Sequence, residues 1–182
     1  MPTMNHRDQI HDQWLVVRCQ EADAAALDEL LTRWQERLWR HAVRLAGDSE
    51  AAWDILQEAM VAISRRITRL ADPAAFPAWA YKITTNQCRD HFRKKHRQRR
   101  TIEAYYERQP VVEQRDHASV MDLRSAMKEL PGPQQTLLSL RYEEGFSVAE
   151  IAGILGIQEG TVKSRLFNAR QRLRSFLEER DK

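Results

Sequence analysis

The chain has 182 residues, of which 42% are hydrophobic and 30% charged, enough for one large or two small packed domains. It contains no long uncharged apolar run, so no transmembrane helix is expected. The charged N-terminus MPTMNHRDQIHDQW lacks the apolar stretch of a secretory signal, which predicts a cytoplasmic protein with no membrane insertion. The net charge of +3 says little by itself, and two cysteines far apart in the chain predict reduced thiols rather than a disulfide framework.

Residues 1–20 read as an N-terminal extension. They hold Trp14, Leu15, Val16 and Val17, which can extend the first domain or dock a partner. Ala22 to Ala46 reads as one helix carrying Leu27, Leu30, Leu31, Trp34, Leu38, Val43 and Leu45. Gly47-Asp48-Ser49 breaks it, and Ser49 is the expected N-cap of a helix running to about Leu70. Asp72-Pro73 and Phe76-Pro77 mark a loop. A further helix is expected from about Ala78 to Arg100, apolar early at Trp79, Tyr81 and Ile83, and basic late. From Lys82 to Arg100 the only acid is Asp90, whereas Glu21 to Glu58 is acidic to mixed. That asymmetry predicts one surface for an anionic polymer and another for a protein partner. Cys88 lies near His91 and His96, but the spacing fits no usual zinc pattern, so neither metal nor cofactor is expected.

Residues 101–119, with Pro110 and mixed polar residues, read as a flexible linker. Val120 to Leu130 resumes a helical pattern, which Pro131-Gly132-Pro133 ends. Gln134 to Glu143 is a further predicted helix. Ser147 followed by Glu150 is a capping-box pattern that opens a short helix with Ile151, Ile154 and Leu155 on one face. Gly156 stands where the turn needs positive φ. Val162, Leu166, Ala169 and Leu173 then give a second apolar face, with no acid between Thr161 and Arg174. This is the pattern of a helix-turn-helix whose second helix can enter a DNA major groove. The expected fold is all-α: two small helical domains, residues 21–100 and 120–182, joined by a flexible linker, the C-terminal one containing the helix-turn-helix.

The C-terminal text resembles the region-four domain of bacterial sigma factors. The pieces that carry the likeness are Leu130-Pro131, Leu140-Arg141-Tyr142, Glu150-Ile151-Ala152, Leu155-Gly156 and Gly160 to Leu166. In the N-terminal half, Asp54-Ile55-Leu56-Gln57-Glu58 resembles that family's region-two motif. Phe76 to Ile83, followed by Asn86, Asp90 and Arg93, resembles its promoter-melting segment. The order and spacing match the extracytoplasmic-function group over about residues 22–177. Departures occur at Gln135 and Asn168, where arginine is common, and at Thr84 and Thr85, where small or apolar residues are usual. They bear on DNA-sequence preference rather than on class.

The resemblance implies a promoter-specificity subunit, not an enzyme. Its implied partners are core RNA polymerase (the clamp helices of the largest subunit and the flap of the second-largest) and promoter DNA, with room for an anti-sigma factor. Asp54, Gln57 and Glu58 would grip the clamp; their spacing puts them on one helical face. Asn86, Arg89, Arg93, Lys94, Lys95 and Arg97 would serve the minus-ten element, where cations track the backbone of melted DNA. The loop at 71–77 with Trp79, Tyr81 and Asn86 can line a pocket for an everted base, while Trp79 and Ile83 also fit core spacing. Asp90 would orient neighbouring arginines. Gln158, Glu159, Thr161, Lys163, Ser164, Arg165 and Asn168 would meet the minus-thirty-five duplex, and Gly160 would allow close backbone approach. The linker would thread toward the polymerase cleft.

Two other classes compete. A stand-alone helix-turn-helix regulator would bind duplex DNA without polymerase, usually as a dimer; the Asp54/Gln57/Glu58 motif argues against it. A DNA recombinase would need a nucleophile among clustered arginines, and Tyr105 and Tyr106 lie in the expected linker. Neither a GxxxxGK[ST] loop nor an HExxH motif is present.

Overall fold

The computed structural model describes residues 6–103 and 130–178. All regular structure in them is helical: α1 (His6–Gln20), α2 (Ala24–Ala46), α3 (Ser49–Arg66), α4 (Phe76–Glu103), α5 (Gly132–Leu138), α6 (Val148–Leu155) and α7 (Glu159–Glu178). Short 3-10 turns at Ile67–Arg69 and Pro73–Ala75 join α3 to α4, and a π-helical turn at Ser139–Glu143 follows α5. The expected linker, apart from the end of α4, and the expected helix before Leu130 lie outside the described residues.

Local chemistry sets the helix ends. The Asp23 carboxylate accepts from the amides of Ala25 and Ala26 at 2.9 and 3.1 Å and starts α2, and Gly47 at φ 71° stops it. The cap of α3 is Asp48, one residue before the expected Ser49. The Asp48 carboxylate accepts from Glu50 N at 3.0 Å, and Ser49 becomes the first helical residue. Asp72 caps the Pro73–Ala75 turn, and α4 then begins at Phe76, two residues before its expected start. Pro77 is tolerated because the first turn of a helix needs no amide donor there. The capping box of α6 forms as its sequence predicts, with Glu150 N donating to Ser147 Oγ at 3.2 Å and Ser147 N donating to Glu150 at 2.8 Å. Gly156 closes the helix at φ 56°.

Helices α2, α3 and α4 pack together, and α1 lies against α2 and the turns before α4. Residues 6–20 therefore belong to the first core, where Leu15, Val16 and Cys19 are buried. Trp34 is the centre of that core, 1% exposed. It meets Phe76 edge-on with centroids 5.3 Å apart, and Tyr81 at 6.2 Å. The same apolar cluster continues without a break into the C-terminal unit through Leu137, Leu140, Phe146, Ile151 and Val162. Tyr81 makes the junction, packing edge-on against Phe146 at 5.3 Å.

One polar cluster pins α1. Asp12, 3% exposed, accepts from Trp34 Nε1 at 3.0 Å and from Arg33 Nε at 2.9 Å. Replacing Asp12 with alanine leaves a buried indole N–H and an arginine without that partner. Asp12→Ala is expected to lose about 2–4 kcal/mol in urea unfolding. Loss of less than about 0.5 kcal/mol would show that α1 is not anchored through this carboxylate.

Candidate nucleic-acid interface

Three exposed helical surfaces carry the residues singled out from sequence. On α3, Asp54, Gln57 and Glu58 are all exposed and share one face. Sequence reasoning missed their neighbours Trp53 and Val61, which are 45% and 48% exposed on the same side. The available signal was spacing: Trp53, Gln57 and Val61 recur every four residues along one line of the helix. Trp53 rests on the half-buried Trp39, ring centroids 5.6 Å apart. The face therefore combines carboxylates with a supported aromatic surface.

Helix α4 sorts the basic run onto different sides. Tyr81, Thr84, Thr85 and Cys88 are buried. Lys82, Asn86, Arg89 and Arg93 recur at spacings of four, three and four, so they form one exposed stripe. Lys82 was not among the expected contacts, and the spacing alone would have added it. Asp90 pairs with Arg93 at 3.2 Å, as expected of a residue that orients arginines. Lys94 and Lys95 leave the stripe; Lys94 turns toward α3 and meets Glu58 at 3.4 Å. The carboxylate face is thus tied to α4 through Lys94, on a different side of that helix from the basic stripe. The side chain of Arg97 lies outside the described residues.

The everted-base pocket expected near Tyr81 is not formed by that residue. Tyr81 is 1% exposed and wedged among Trp34, His41 and Phe146. Burial, then the Glu144 carboxylate beside it, raises its phenol well above the ordinary range. A cavity of about 320 Å³ does lie against Pro73, Ala74, Pro77 and Ala78, but its other walls include Gln13, Arg37 and Glu150. Trp79 is half-buried and packs on the core, and Ile83 is buried.

On α7, Val162, Leu166 and Ala169 face inward, and the expected contacts Gln158, Glu159, Lys163, Ser164, Arg165 and Asn168 are exposed, with Thr161 partly so. A Cβ at Gly160 would meet nothing within 4 Å, so the helix start is open to an approaching ligand. The exposed residues divide into two stripes. Thr161, Arg165, Asn168 and Arg172 form one, and Lys163, Phe167, Arg170 and Arg174 the other. Arg165 leans toward α4, where it and Arg89 border a mainly apolar cavity of about 230 Å³ between the two units.

The buried groups behind α4 hold its register. Thr85 Oγ1 donates to Tyr81 O at 2.9 Å and has no second proton to give. It therefore accepts from His41 Nε2, 2.9 Å away. Burial, with Arg44 adding to it, lowers the His41 pKa from 6.5 to about 3. Burial likewise pushes the Cys88 thiol up to about 12 and raises that of Cys19, so both thiols stay protonated. Among the described residues no group of three or more His, Cys, Asp or Glu is placed to hold a metal ion. No helix there is long and apolar enough to cross a membrane.

The chain matches two family models, sigma-70 region 2 over residues 30–98 and sigma-70 region 4 over residues 121–173. It is 30% identical over 186 residues to the RNA polymerase sigma-H factor of Pseudomonas aeruginosa, covering 93% of this chain and 95% of that one. Against the ECF RNA polymerase sigma factor SigE of Mycolicibacterium smegmatis it is 35% identical over 165 residues, 85% of this chain and 64% of that longer protein. Two solved structures share the fold. Sigma factor RpoE of Bartonella quintana, in complex with the anti-sigma factor NepR, aligns at TM-score 0.63 and 24% identity, over 83% of this chain and 96% of that one. CnrH in complex with the cytosolic domain of CnrY aligns at TM-score 0.61 and 22% identity, over 93% and 98%.

The His41 environment sets a pH dependence. The folded pKa lies below the unfolded value, so protons bind the unfolded chain first and stability is complete only above about pH 6.5. Stability is expected to fall by up to about 1.4 kcal/mol per pH unit from this group as pH drops from 6.5 toward 3. Between pH 6.5 and 5, before carboxylates titrate, His41→Gln should flatten urea midpoints. An unchanged slope in that variant would clear His41 of the effect.

Proposed function

The chain belongs to the extracytoplasmic-function group of RNA polymerase sigma factors, and from that premise we propose how its residues divide the work of directing polymerase to promoters. Its partners are core RNA polymerase and promoter DNA. The observation that carries the division is that α4 bears both contacts: Lys94 ties it to Glu58 of the Asp54–Gln57–Glu58 face of α3, and another of its sides carries the basic stripe. A protein holding the polymerase clamp with one face would present melted DNA to the other.

In this reading the carboxylates of α3 pair with basic groups of the clamp helices, and Trp53 and Val61 add apolar contact area. Lys82, Asn86, Arg89 and Arg93 track the backbone of the opened minus-ten strand. No ATP is needed, because binding single strands more tightly than duplex drives opening. The exposed residues at the start of α7 read the minus-thirty-five duplex, with Lys163 and Arg165 as its main cations. The protein acts in the cytoplasm and catalyses no reaction of its own. An anti-sigma factor is a fitting regulator, as NepR is for sigma factor RpoE of Bartonella quintana, which shares its fold. The stand-alone regulator finds no support among the relatives, which are polymerase sigma factors.

Two double variants separate the tasks. Lys163→Glu with Arg165→Glu should reduce promoter-directed run-off transcription at least about a hundredfold and leave core-polymerase affinity unchanged. Loss of core binding in that variant would refute the division of labour. Asp54→Arg with Glu58→Arg should weaken core binding about tenfold or more by like-charge contact, measured by titrating labelled protein with core enzyme. Wild-type affinity would remove those residues from the interface.

A further inference from the structure

The cavity of about 230 Å³ that Arg89 and Arg165 border has the chemistry of a ligand site. Its apolar walls are Leu45 of α2 and Phe92 of α4 on one side, and Leu137, Leu155 and Ile157 on the other. Two ion pairs along the same seam fix the spacing of these walls. Arg37 pairs with Glu144 at 3.3 Å and Arg44 with Glu143 at 2.7 Å. The volume falls below the roughly 300 Å³ at which drug-sized pockets begin, so a guest must be small.

The hydroxyls of the lining are already satisfied. Thr85 Oγ1 donates to Tyr81 O and accepts from His41, and Thr136 Oγ1 donates to Gly132 O at 2.9 Å. The buried Cys88 thiol is a weak donor at best. Water is therefore a poor occupant, because a buried water needs several polar partners. The two guanidinium groups are different. Arg89 donates to Leu155 O and reaches Asn86 Oδ1 at a long 3.5 Å, which leaves other N–H groups of its fork unused. Arg165 has neither an ion pair nor a hydrogen bond among the described residues. Among those residues no Asp or Glu lines the cavity. Two positive charges thus stand at the edge of an apolar space without a counter-charge.

We propose that this cavity binds a medium-chain fatty carboxylate, with the alkyl chain inside and the carboxylate between Arg89 and Arg165. A guanidinium pairs with a carboxylate through two parallel hydrogen bonds, which favours this head group over a hydroxyl. An amine head would be repelled, and an inorganic anion would leave the apolar walls uncovered. Arg89 and Arg165 are also the proposed cations for the minus-ten strand and the minus-thirty-five duplex. A bound carboxylate engages both, so it competes with DNA phosphate. That competition rests on the proposed DNA roles of the two arginines; the site itself does not.

The test is equilibrium dialysis of the full chain against labelled octanoate, with butanoate, hexanoate, 1-octanol and octylamine as competitors. Octanoate is expected to bind saturably, a single molecule per chain. Affinity should rise about fourfold per added methylene from butanoate upward. 1-Octanol and octylamine should compete at least about tenfold less well. Arg165→Met removes a head-group partner from an exposed position, and Ile157→Phe fills the cavity from a half-buried one. Leu45→Phe fills it from the opposite wall should Ile157→Phe misfold. Each variant should weaken octanoate at least about tenfold, with helicity by circular dichroism unchanged. Non-saturable uptake would overturn the site, and so would native affinity in Arg165→Met and a folded cavity-filling variant. Equal binding of 1-octanol would overturn the carboxylate. Run-off transcription with core polymerase reads the competition separately, each protein being compared with its own activity without octanoate. Octanoate should inhibit the wild type and spare the cavity-filling variant. Equal inhibition of both, or of neither, would sink the competition with DNA while the dialysis result stands on its own.

Discussion

The edge-on chain Trp34–Tyr81–Phe146 is the contact on which the rest of the molecule depends. Trp34 collects α1 through Asp12 and α4 through Phe76. Tyr81 carries the same core across to the C-terminal unit. Without that step, α4 would still pack on α2 and α3, but the aromatic core would stop short of the C-terminal unit. With it, α4 is held along its first three turns while its outer stripe remains open. Burial of this size also explains the threonines on α4. Thr84 and Thr85 return their hydroxyls to the carbonyls of Ala80 and Tyr81, which satisfies them inside the core.

A single helix thus serves three neighbours. One side of α4 enters the core, a second meets α3 at Lys94 and Glu58, and a third bears the Lys82–Asn86–Arg89–Arg93 stripe. A helix can separate such tasks because successive residues point about 100° apart. A loop carrying the same cations would leave their relative positions free. That difference matters for strand opening, where binding energy must fall on the melted product rather than on any anion nearby.

Much of this was legible in the sequence where a local rule sufficed. The Ser147–Glu150 box, the positive φ at Gly156 and the inward set Val162–Leu166–Ala169 each follow from spacing and chemistry within a few residues. So does the exposure of Asp54, Gln57 and Glu58. Three things were not legible. Helix α1 carries Trp14, Leu15, Val16 and Val17 in succession, a run without helical period, so its two faces are told apart only once Leu15 and Val16 find α2. Tyr81 looked available to a base because aromatic residues serve both stacking and packing; which it does depends on Phe146, sixty-five residues away. The seam pairs were invisible for the same reason, since nothing local links Arg37 or Arg44 to Glu143 and Glu144.

Those long-range pairs also explain why composition was a poor guide to charge. The formal balance of +3 hides two opposed uses of arginine. Arg37 and Arg44 are spent inward on carboxylates, whereas Arg93 lies outward with only an exposed acid three residues before it. Arg89 stands between these cases. It belongs to the outward stripe by position, yet its guanidinium reaches a helix end that offers only partial negative charge. A full phosphate charge is the stronger partner for a guanidinium. A carbonyl therefore holds Arg89 less firmly than a buried carboxylate in the same place would.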